Sequence, residues 1–285
     1  MPSVRDLRDR IRSLKNTQQI TKAMKQVAAA KIRRAELAQK RARPYADALS
    51  GMLQDLIEAV GVVDHPFMRP GKQGAPRGVI VVTSDKGLAG AYNSNIQRAA
   101  HQLQQQDPNV LWYAIGQKGI NSLRRLPQEV VLSGLLQHGS KLDTAREIAA
   151  KASDDFTSGR ISEIVLIASK FISVMVQHVD VRTIVPIVPG QKRAHEGPRA
   201  LVEFAPSPEA VLTRLLPKYL EFTLFSAMLE GEAAYFASQL TAMSNATDNA
   251  GKLIDQLTID MNKARQASIT KELLEIVGGA EALTG

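Results

Sequence analysis

The sequence contains no cysteine and few aromatic residues. Without cysteine the chain can form neither a disulfide nor a thiol redox switch, and cysteine-ligated zinc is excluded. Its five histidines are scattered and never stand four residues apart, so no histidine metal motif is visible. Aromatic residues make up 5% of the chain, which suits long helices better than a β-sandwich. These absences predict a helix-rich protein without a metal or another cofactor.

Long apolar runs are also missing. No stretch reaches the roughly 18 apolar residues that a membrane-spanning helix needs. Charged residues begin at Arg5, so no signal peptide is expected. We therefore expect a soluble, cytoplasmic chain.

Positive charge is concentrated at the start of the chain. The formal net charge is +8, yet residues 1–50 alone hold 13 Lys and Arg against 4 Asp and Glu, a balance of +9. The other 235 residues therefore sum to −1. Because the positive charge is confined to one segment, it indicates what that segment binds, and an acidic protein surface is the partner that fits best.

The same segment predicts one very long helix. Ser3 with Asp6 is close to a capping box, and neither glycine nor proline follows before Pro44, where a kink is expected. Continuing to about residue 60, the helix would have about 55 residues and a length of about 80 Å. The helix also has a coiled-coil spacing. The first two heptads are apolar at the contact positions, and small or polar residues take many of these positions afterwards. The series is Val4, Leu7, Ile11, Leu14, Gln18, Thr21, Lys25, Ala28, Ile32 and Ala35.

A small α/β domain is predicted after a loop rich in proline and glycine. Four apolar runs are typical of buried strands: residues 78–84, 110–116, 163–169 and 181–188. Helical segments separate them, around residues 95–105, 119–125 and 141–156. Alternating strands and helices indicate a Rossmann-like α/β domain over residues 76–190.

A second long helix is predicted to begin at Ser207-Pro208-Glu209 and to end at Gly278-Gly279. The fold class that follows has two long terminal helices forming an antiparallel coiled coil, with the α/β domain inserted between them. The predicted domains are residues 1–60, 76–190 and 207–285. The second helix is longer than the first, so its end should overhang by about 20 Å with an apolar stripe that only a partner can cover.

One loop stands where a phosphate-binding site would be expected. TSDKGLAGAYNSN (Thr83 to Asn95) follows a strand and precedes a helix, which is where α/β folds bind phosphates. The spacing of Gly87 and Gly90 matches no phosphate-binding motif, and Lys86 stands before the first glycine. A tight turn explains the small residues better, and no catalytic constellation is visible elsewhere. Nucleic-acid binding by the basic helix is disfavoured because no aromatic residue precedes Tyr45.

The chain resembles the γ subunits of F-type ATP synthases from end to end. Two blocks carry most of the resemblance: NTQQITKAMKQVAAAK…ARPYA (Asn16 to Ala46) and ATDNAGKLIDQLTIDMNKARQASITKELLEIVGGAEAL (Ala246 to Leu283). TSDKGLAGAYNSN and KFISVMVQ (Lys170 to Gln177) in the α/β region also fit.

The resemblance implies a non-catalytic rotor subunit, one copy per complex, on the cytoplasmic face of the cell membrane. Its helices would turn inside a ring of three α and three β subunits, and its α/β domain would contact the ε subunit and the membrane c-ring. It would couple rotation to ATP synthesis or hydrolysis, regulate ATPase activity and ion flow, and bind no nucleic acid. The implied contacts to β-subunit loops are Met24, Lys25, Arg265, Gln266 and Thr270. The implied apolar tip, enclosed in a sleeve of α and β subunits, is Ile269, Leu273, Ile276 and Val277.

The sequence departs from the family pattern in one region. Gln239 stands where many relatives have Arg, and Ser244-Asn245 replaces a common Lys-Ala or Lys-Asn pair. A second β contact that the resemblance implies in that region therefore lacks the family's usual residues. Two other classes stay open at this point: a coiled-coil protein associated with nucleic acid, and a nucleotide-using α/β enzyme with helical arms.

Overall fold

The computed structural model describes residues 3–60, 65–187 and 207–284. Two long helices, α1 (Val4–Val60) and α5 (Pro208–Thr284), flank an α/β region in the sequence. That region contains a short 3₁₀ turn (Pro66–Met68), β1 (Arg77–Val82), α2 (Tyr92–Gln106), β2 (Val110–Ile115), α3 (Gln117–Leu123), β3 (Val130–Gly134), α4 (Lys141–Thr157), β4 (Glu163–Phe171) and β5 (Gln177–Val185). The predicted fold class is confirmed.

The chain divides into two compact units. Unit 1 joins residues 1–29 to residues 239–285, and unit 2 consists of residues 30–238. The division cuts through both long helices, so it does not follow element boundaries. The predicted domains 1–60, 76–190 and 207–285 stay a prediction.

Both long helices begin with the predicted caps. The Ser3 hydroxyl accepts a hydrogen bond from the Asp6 N–H at 3.1 Å, and the Asp6 carboxylate accepts one from the Ser3 N–H at 3.1 Å. The Ser207 hydroxyl likewise accepts from the Ala210 N–H at 3.3 Å. These bonds satisfy N–H groups that the first helical turn leaves without partners.

The predicted end of α5 is wrong. The helix continues through Gly278-Gly279 to Thr284. Glycine inside a helix costs only about 1 kcal/mol relative to alanine, and the helix-forming residues that follow are not interrupted by proline. The helix α1 likewise continues through Pro44.

Unit 2 is built on a five-stranded mixed sheet with the order β3-β2-β1-β4-β5. The strands β1 to β4 are parallel, whereas β5 pairs antiparallel with β4. The prediction that the fourth apolar run is a buried strand is wrong. The strand there spans Gln177–Val185, lies at the edge of the sheet, and is largely exposed or half-buried.

Alternate residues of β1 enter two apolar clusters on opposite faces of the sheet. Ile80 and Val82 pack with α4 and with the part of α5 between Leu212 and Met228. Val79 and Val81 pack with α2 and with residues 233–237 of α5. Both faces are therefore covered, as parallel sheets require.

Unit 1 is an antiparallel helix pair. Gln18 Nε2 donates to the Thr247 carbonyl at 3.4 Å, and Lys25 Nζ donates to Ser244 Oγ at 2.9 Å. Every position of the predicted coiled-coil series in α1 is buried or half-buried.

Candidate functional site

The end of α5 in unit 1 is uncovered. Every side chain from Arg265 to Gly278 is exposed. Because the two segments run antiparallel from the Gln18–Thr247 pair, the start of α1 at Val4 falls level with about Met261. Within unit 1, α1 therefore offers no surface to the residues beyond.

The uncovered end carries the predicted apolar stripe. Its members are between 49% and 68% exposed: Ile269, Leu273, Ile276 and Val277. Charged neighbours surround it, including the ion pair of Lys271 with Glu275 at 3.6 Å. The Thr270 hydroxyl donates to the Gln266 carbonyl at 3.0 Å, a bond within the helix. Apolar residues this exposed on a helix end form a surface suited to a partner.

The stretch Asn16–Lys31 presents its larger apolar residues outwards. Ile20 is 60% exposed and Val27 is 53% exposed. Small residues take the inward positions, since Thr21 and Ala28 are buried. Ile20 and Val27 therefore belong to the outer surface and not to the interior of the helix pair.

Met24 and Lys25 lie half-buried on the same stretch. The hydrogen bond from Lys25 to Ser244 turns the ammonium group towards α5. The hydroxyl at position 244 accepts this bond, whereas a lysine there would repel Lys25.

The loop after β1 lies at the carboxyl edge of the sheet in unit 2. Thr83 Oγ1 accepts the Gly119 N–H at 2.7 Å and donates to the Ile115 carbonyl at 3.0 Å. The Asn93 side chain accepts the Ser84 N–H at 3.1 Å. The Ser84 N–H and the Thr83 hydroxyl are therefore used within the protein and not offered to a phosphate.

Asp85 extends this network to two other loops. Its carboxylate accepts the N–H groups of Gln117 at 3.1 Å, Leu136 at 3.0 Å and Gln137 at 2.6 Å. Burial alone would raise the pKa of Asp85. The hydrogen bonds from Leu136, Gln137, His138 and Gln117 outweigh burial and lower the pKa. The one sequence signal for this role is an acidic residue placed directly after a buried strand, and it belongs to no phosphate-binding motif.

A second buried carboxylate, that of Asp155 on α4, connects this helix to strand β2. The Tyr113 hydroxyl donates to its carboxylate at 2.6 Å, and Lys151 Nζ donates at 2.8 Å. Burial would raise the pKa of Asp155, but the hydrogen bonds from Lys151 and Tyr113 lower it. The carboxylate is buried and enclosed by these partners, so a structural role explains it. In the part of the chain that the structure describes, no group of three or more His, Asp or Glu side chains is placed to hold a metal ion.

Comparison with known proteins identifies the family. A family model described as ATP synthase matches residues 3–283. The ATP synthase gamma chain of Pelotomaculum thermopropionicum is 43% identical over 289 residues, covering 99% of this chain and 100% of the relative. The gamma chain of Heliobacterium modesticaldum is 40% identical over 99% of this chain and 100% of the relative. The chain belongs to the ATP synthase gamma chain family.

This gamma chain is therefore a non-catalytic rotor component of the central stalk, as the sequence predicted. The assignment replaces both alternatives, the nucleic-acid-associated coiled coil and the nucleotide-using enzyme. No helix among its described residues combines the length and the hydrophobicity needed to cross a membrane.

Solved structures support the fold of the gamma chain. A chain of the Euglena gracilis mitochondrial ATP synthase superposes with a TM-score of 0.68 at 18% identity, covering 98% of this chain and 94% of that one. A chain from the central stalk and c-ring of the Tetrahymena thermophila mitochondrial ATP synthase gives 0.60 at 24% identity, covering 80% and 99%.

Proposed function

We propose that this gamma chain turns as the central shaft of a ring of three α and three β subunits, the catalytic ring. It couples ion-driven rotation of the membrane c-ring to conformational changes at the catalytic β subunits, in ATP synthesis or hydrolysis. By the same contacts it regulates ATPase activity and ion flow. One copy serves each complex, at the cytoplasmic face of the cell membrane, with the α/β domain against the ε subunit and the c-ring. The observation that carries the proposal is the uncovered apolar end of α5.

That end needs a partner on energetic grounds. Burying one large apolar side chain stabilises a complex by roughly 1.5–3 kcal/mol. Ile269, Leu273, Ile276 and Val277 therefore represent a large unused binding surface on a helix end that is marginal in water. An apolar sleeve formed by the α and β subunits fits this surface, because contact without directional polar bonds permits turning.

Polar contacts are proposed just before the sleeve. Arg265 and Gln266 are exposed, and Thr270 lies one turn further along. Their donors suit the carbonyl and carboxylate oxygens of a β-subunit loop.

The first helix supplies the third contact. Met24 and Lys25 are proposed to lie near the acidic lever of a β subunit, with Ile20 and Val27 beside them on the outer surface. The positive balance of residues 1–50 favours approach of an acidic loop over a long range. Small apolar contacts suit a shaft that must not hold one orientation too tightly.

Amide hydrogen exchange tests the proposal. In the free chain, amides from Gln266 to Val277 should exchange fast because this end is uncovered. Addition of the α and β subunits should slow them strongly. Changing Ile269, Leu273 and Ile276 together to Ser should weaken assembly with the catalytic ring and leave the thermal unfolding of the free chain unmoved.

A matched variant separates apolar burial from general damage to the helix. Changing Lys271, Glu272 and Glu275 to Ala alters three exposed residues of the same segment and keeps the stripe. This variant should assemble normally. Full protection of Gln266–Val277 already in the free chain would contradict the proposal, since the end would then be packed internally.

A further inference from the structure

The most enclosed charge at the carboxyl edge of the sheet belongs to Asp85. Its side chain is 5% exposed, although it lies in a surface loop. Three backbone N–H groups and the His138 ring, with Nδ1 at 3.3 Å, surround its two oxygens.

The donors come from separate parts of the chain. Gln117 follows β2, and the remaining donors, Leu136, Gln137 and His138, follow β3. Backbone N–H groups that converge in this way form the concave sites in which proteins hold anions. In this gamma chain the anion is a side chain of the loop after β1.

The turn that follows Asp85 has an unusual conformation. Leu88 has a φ of 61° and is 64% exposed. The left-handed region costs free energy for a residue with a side chain, so neighbouring contacts must hold the turn. Ser84 Oγ donates to the Lys86 carbonyl at 2.6 Å, and the Tyr235 hydroxyl donates to the Gly87 carbonyl at 3.1 Å. Asp85 stands immediately before these two anchored carbonyls in the sequence.

We propose that Asp85 is a built-in anion that occupies an anion-binding cluster of this fold and positions the turn Lys86–Leu88. The same cluster binds a small free monocarboxylate once the Asp85 carboxylate is removed. This inference stands apart from the proposed contacts to the catalytic ring, because it concerns donors inside unit 2 alone.

The size of the vacated space fixes which anion fits. Changing Asp85→Ala removes a carboxylate and leaves the Cβ atom, so the space matches formate. Changing Asp85→Gly removes the methylene group as well, so the space matches acetate. Changing Asp85→Asn leaves the space filled with an amide, and no anion can enter.

Thermal unfolding of the full chain tests these pairings. Tm is measured for the wild type and the three variants in sodium chloride, formate and acetate at equal ionic strength. All three variants should have a Tm several degrees below that of the wild type in chloride. Formate should raise the Tm of Asp85→Ala, and both formate and acetate should raise that of Asp85→Gly. Each rise should grow with the logarithm of anion concentration, as expected for a ligand that binds only the folded state. The wild type and Asp85→Asn should not respond.

Amide hydrogen exchange at single residues shows where the anion binds. The bound anion should slow exchange at the amides of Gln117, Leu136 and Gln137 in the variants. If Asp85→Ala does not fold in chloride, it should fold in formate. If Asp85→Gly does not fold in chloride, it should fold in formate or acetate. Equal behaviour of formate, acetate and chloride in both Asp85→Ala and Asp85→Gly would overturn the proposal, and so would a wild-type response equal to that of the variants.

Discussion

At the residue scale, Gly116 shows how closely the loops of the sheet approach each other. Its φ is 91°, and a Cβ atom there would lie 2.3 Å from the Thr83 carbonyl oxygen. Gly116→Ala should therefore lower the free energy of unfolding by about 3 kcal/mol or more, from backbone strain and from displacement of β1. Urea unfolding measures this loss.

Gly139 is the matched control for Gly116. Its φ is 82°, but nothing lies within 4 Å of a Cβ atom there. Gly139→Ala should cost only about 1–2 kcal/mol. Equal losses in the two variants would contradict the close approach of Gly116 to Thr83.

The buried Asp155 carboxylate gives unit 2 a dependence on pH. Its pKa in the folded chain is lowered from 3.8, so its contribution to stability is present above that value and is lost as pH falls through the lowered pKa. Tyr113→Phe removes one of the hydrogen bonds that lower the pKa. We expect a loss of about 1.5–3 kcal/mol at neutral pH that shrinks in acid, measured by urea unfolding across pH.

Tyr92 supplies the control for this pH series. Its hydroxyl is buried and donates to the neutral Gly231 carbonyl at 2.9 Å. Tyr92→Phe should cost about 1 kcal/mol at every pH. A loss in Tyr113→Phe that is equally independent of pH would argue against the hydrogen bond to a charged Asp155.

Single residues were predictable from the sequence where their partners are close in the chain. The caps at Ser3 and Ser207 depend on residues three positions away, so the local pattern contains them. Asp85 bonds residues that are 32 to 53 positions away. Such a network depends on which loops the sheet brings together, and spacing along the chain does not contain that information.

At the element scale, the helix pair of unit 1 has a polar layer in its interior. Thr247 Oγ1 donates to Thr21 Oγ1 at 2.8 Å, and Thr21 is buried. Each hydroxyl also bonds a carbonyl of its own helix, that of Gln18 at 3.0 Å and that of Met243 at 2.7 Å. Either single variant loses the bond between the two hydroxyls, and the double variant loses that bond only once. The losses from Thr21→Val and Thr247→Val should therefore exceed, when summed, the loss in the double variant by about 0.5–1 kcal/mol.

A third threonine provides the control for this cycle. Thr258 bonds the Ile254 carbonyl of its own helix at 2.7 Å and lies three turns beyond Thr247. Thr258→Val combined with Thr21→Val should be additive within about 0.5 kcal/mol in urea unfolding followed by circular dichroism. Additivity in the first pair as well would show that the two hydroxyls do not interact.

The elements were predicted where their pattern is long or fully buried. The two long helices and β1, β2 and β4 have continuous signals, and the structure contains all of them. The strand β3 has only five residues, all half-buried, and two of them are Ser133 and Gly134, so its pattern was too short and too mixed to detect. The direction of β5 depends on the turn between Phe171 and Gln177, and an apolar run alone does not reveal direction.

At the scale of the whole molecule, the exposed stripe on α5 and the basic first helix both describe a subunit that is completed by other chains. The contact residues could be predicted only through the family resemblance, because the sequence of one chain does not show which residues of another chain it meets. Of these residues, Arg265, Gln266 and Thr270 are exposed, whereas Met24 and Lys25 are half-buried. Their partners stay a proposal.

Observing single complexes tests directly whether this gamma chain rotates as a shaft inside the catalytic ring. The chain has no cysteine, so Gln105→Cys, at an exposed position of α2, gives one attachment point for an optical probe. The labelled chain is assembled with α and β subunits that are fixed to a surface, and ATP is added. If the gamma chain is the shaft, the probe should rotate stepwise in one direction while ATP is hydrolysed. Sustained hydrolysis by intact complexes whose labelled gamma chain stays at one angle would contradict it.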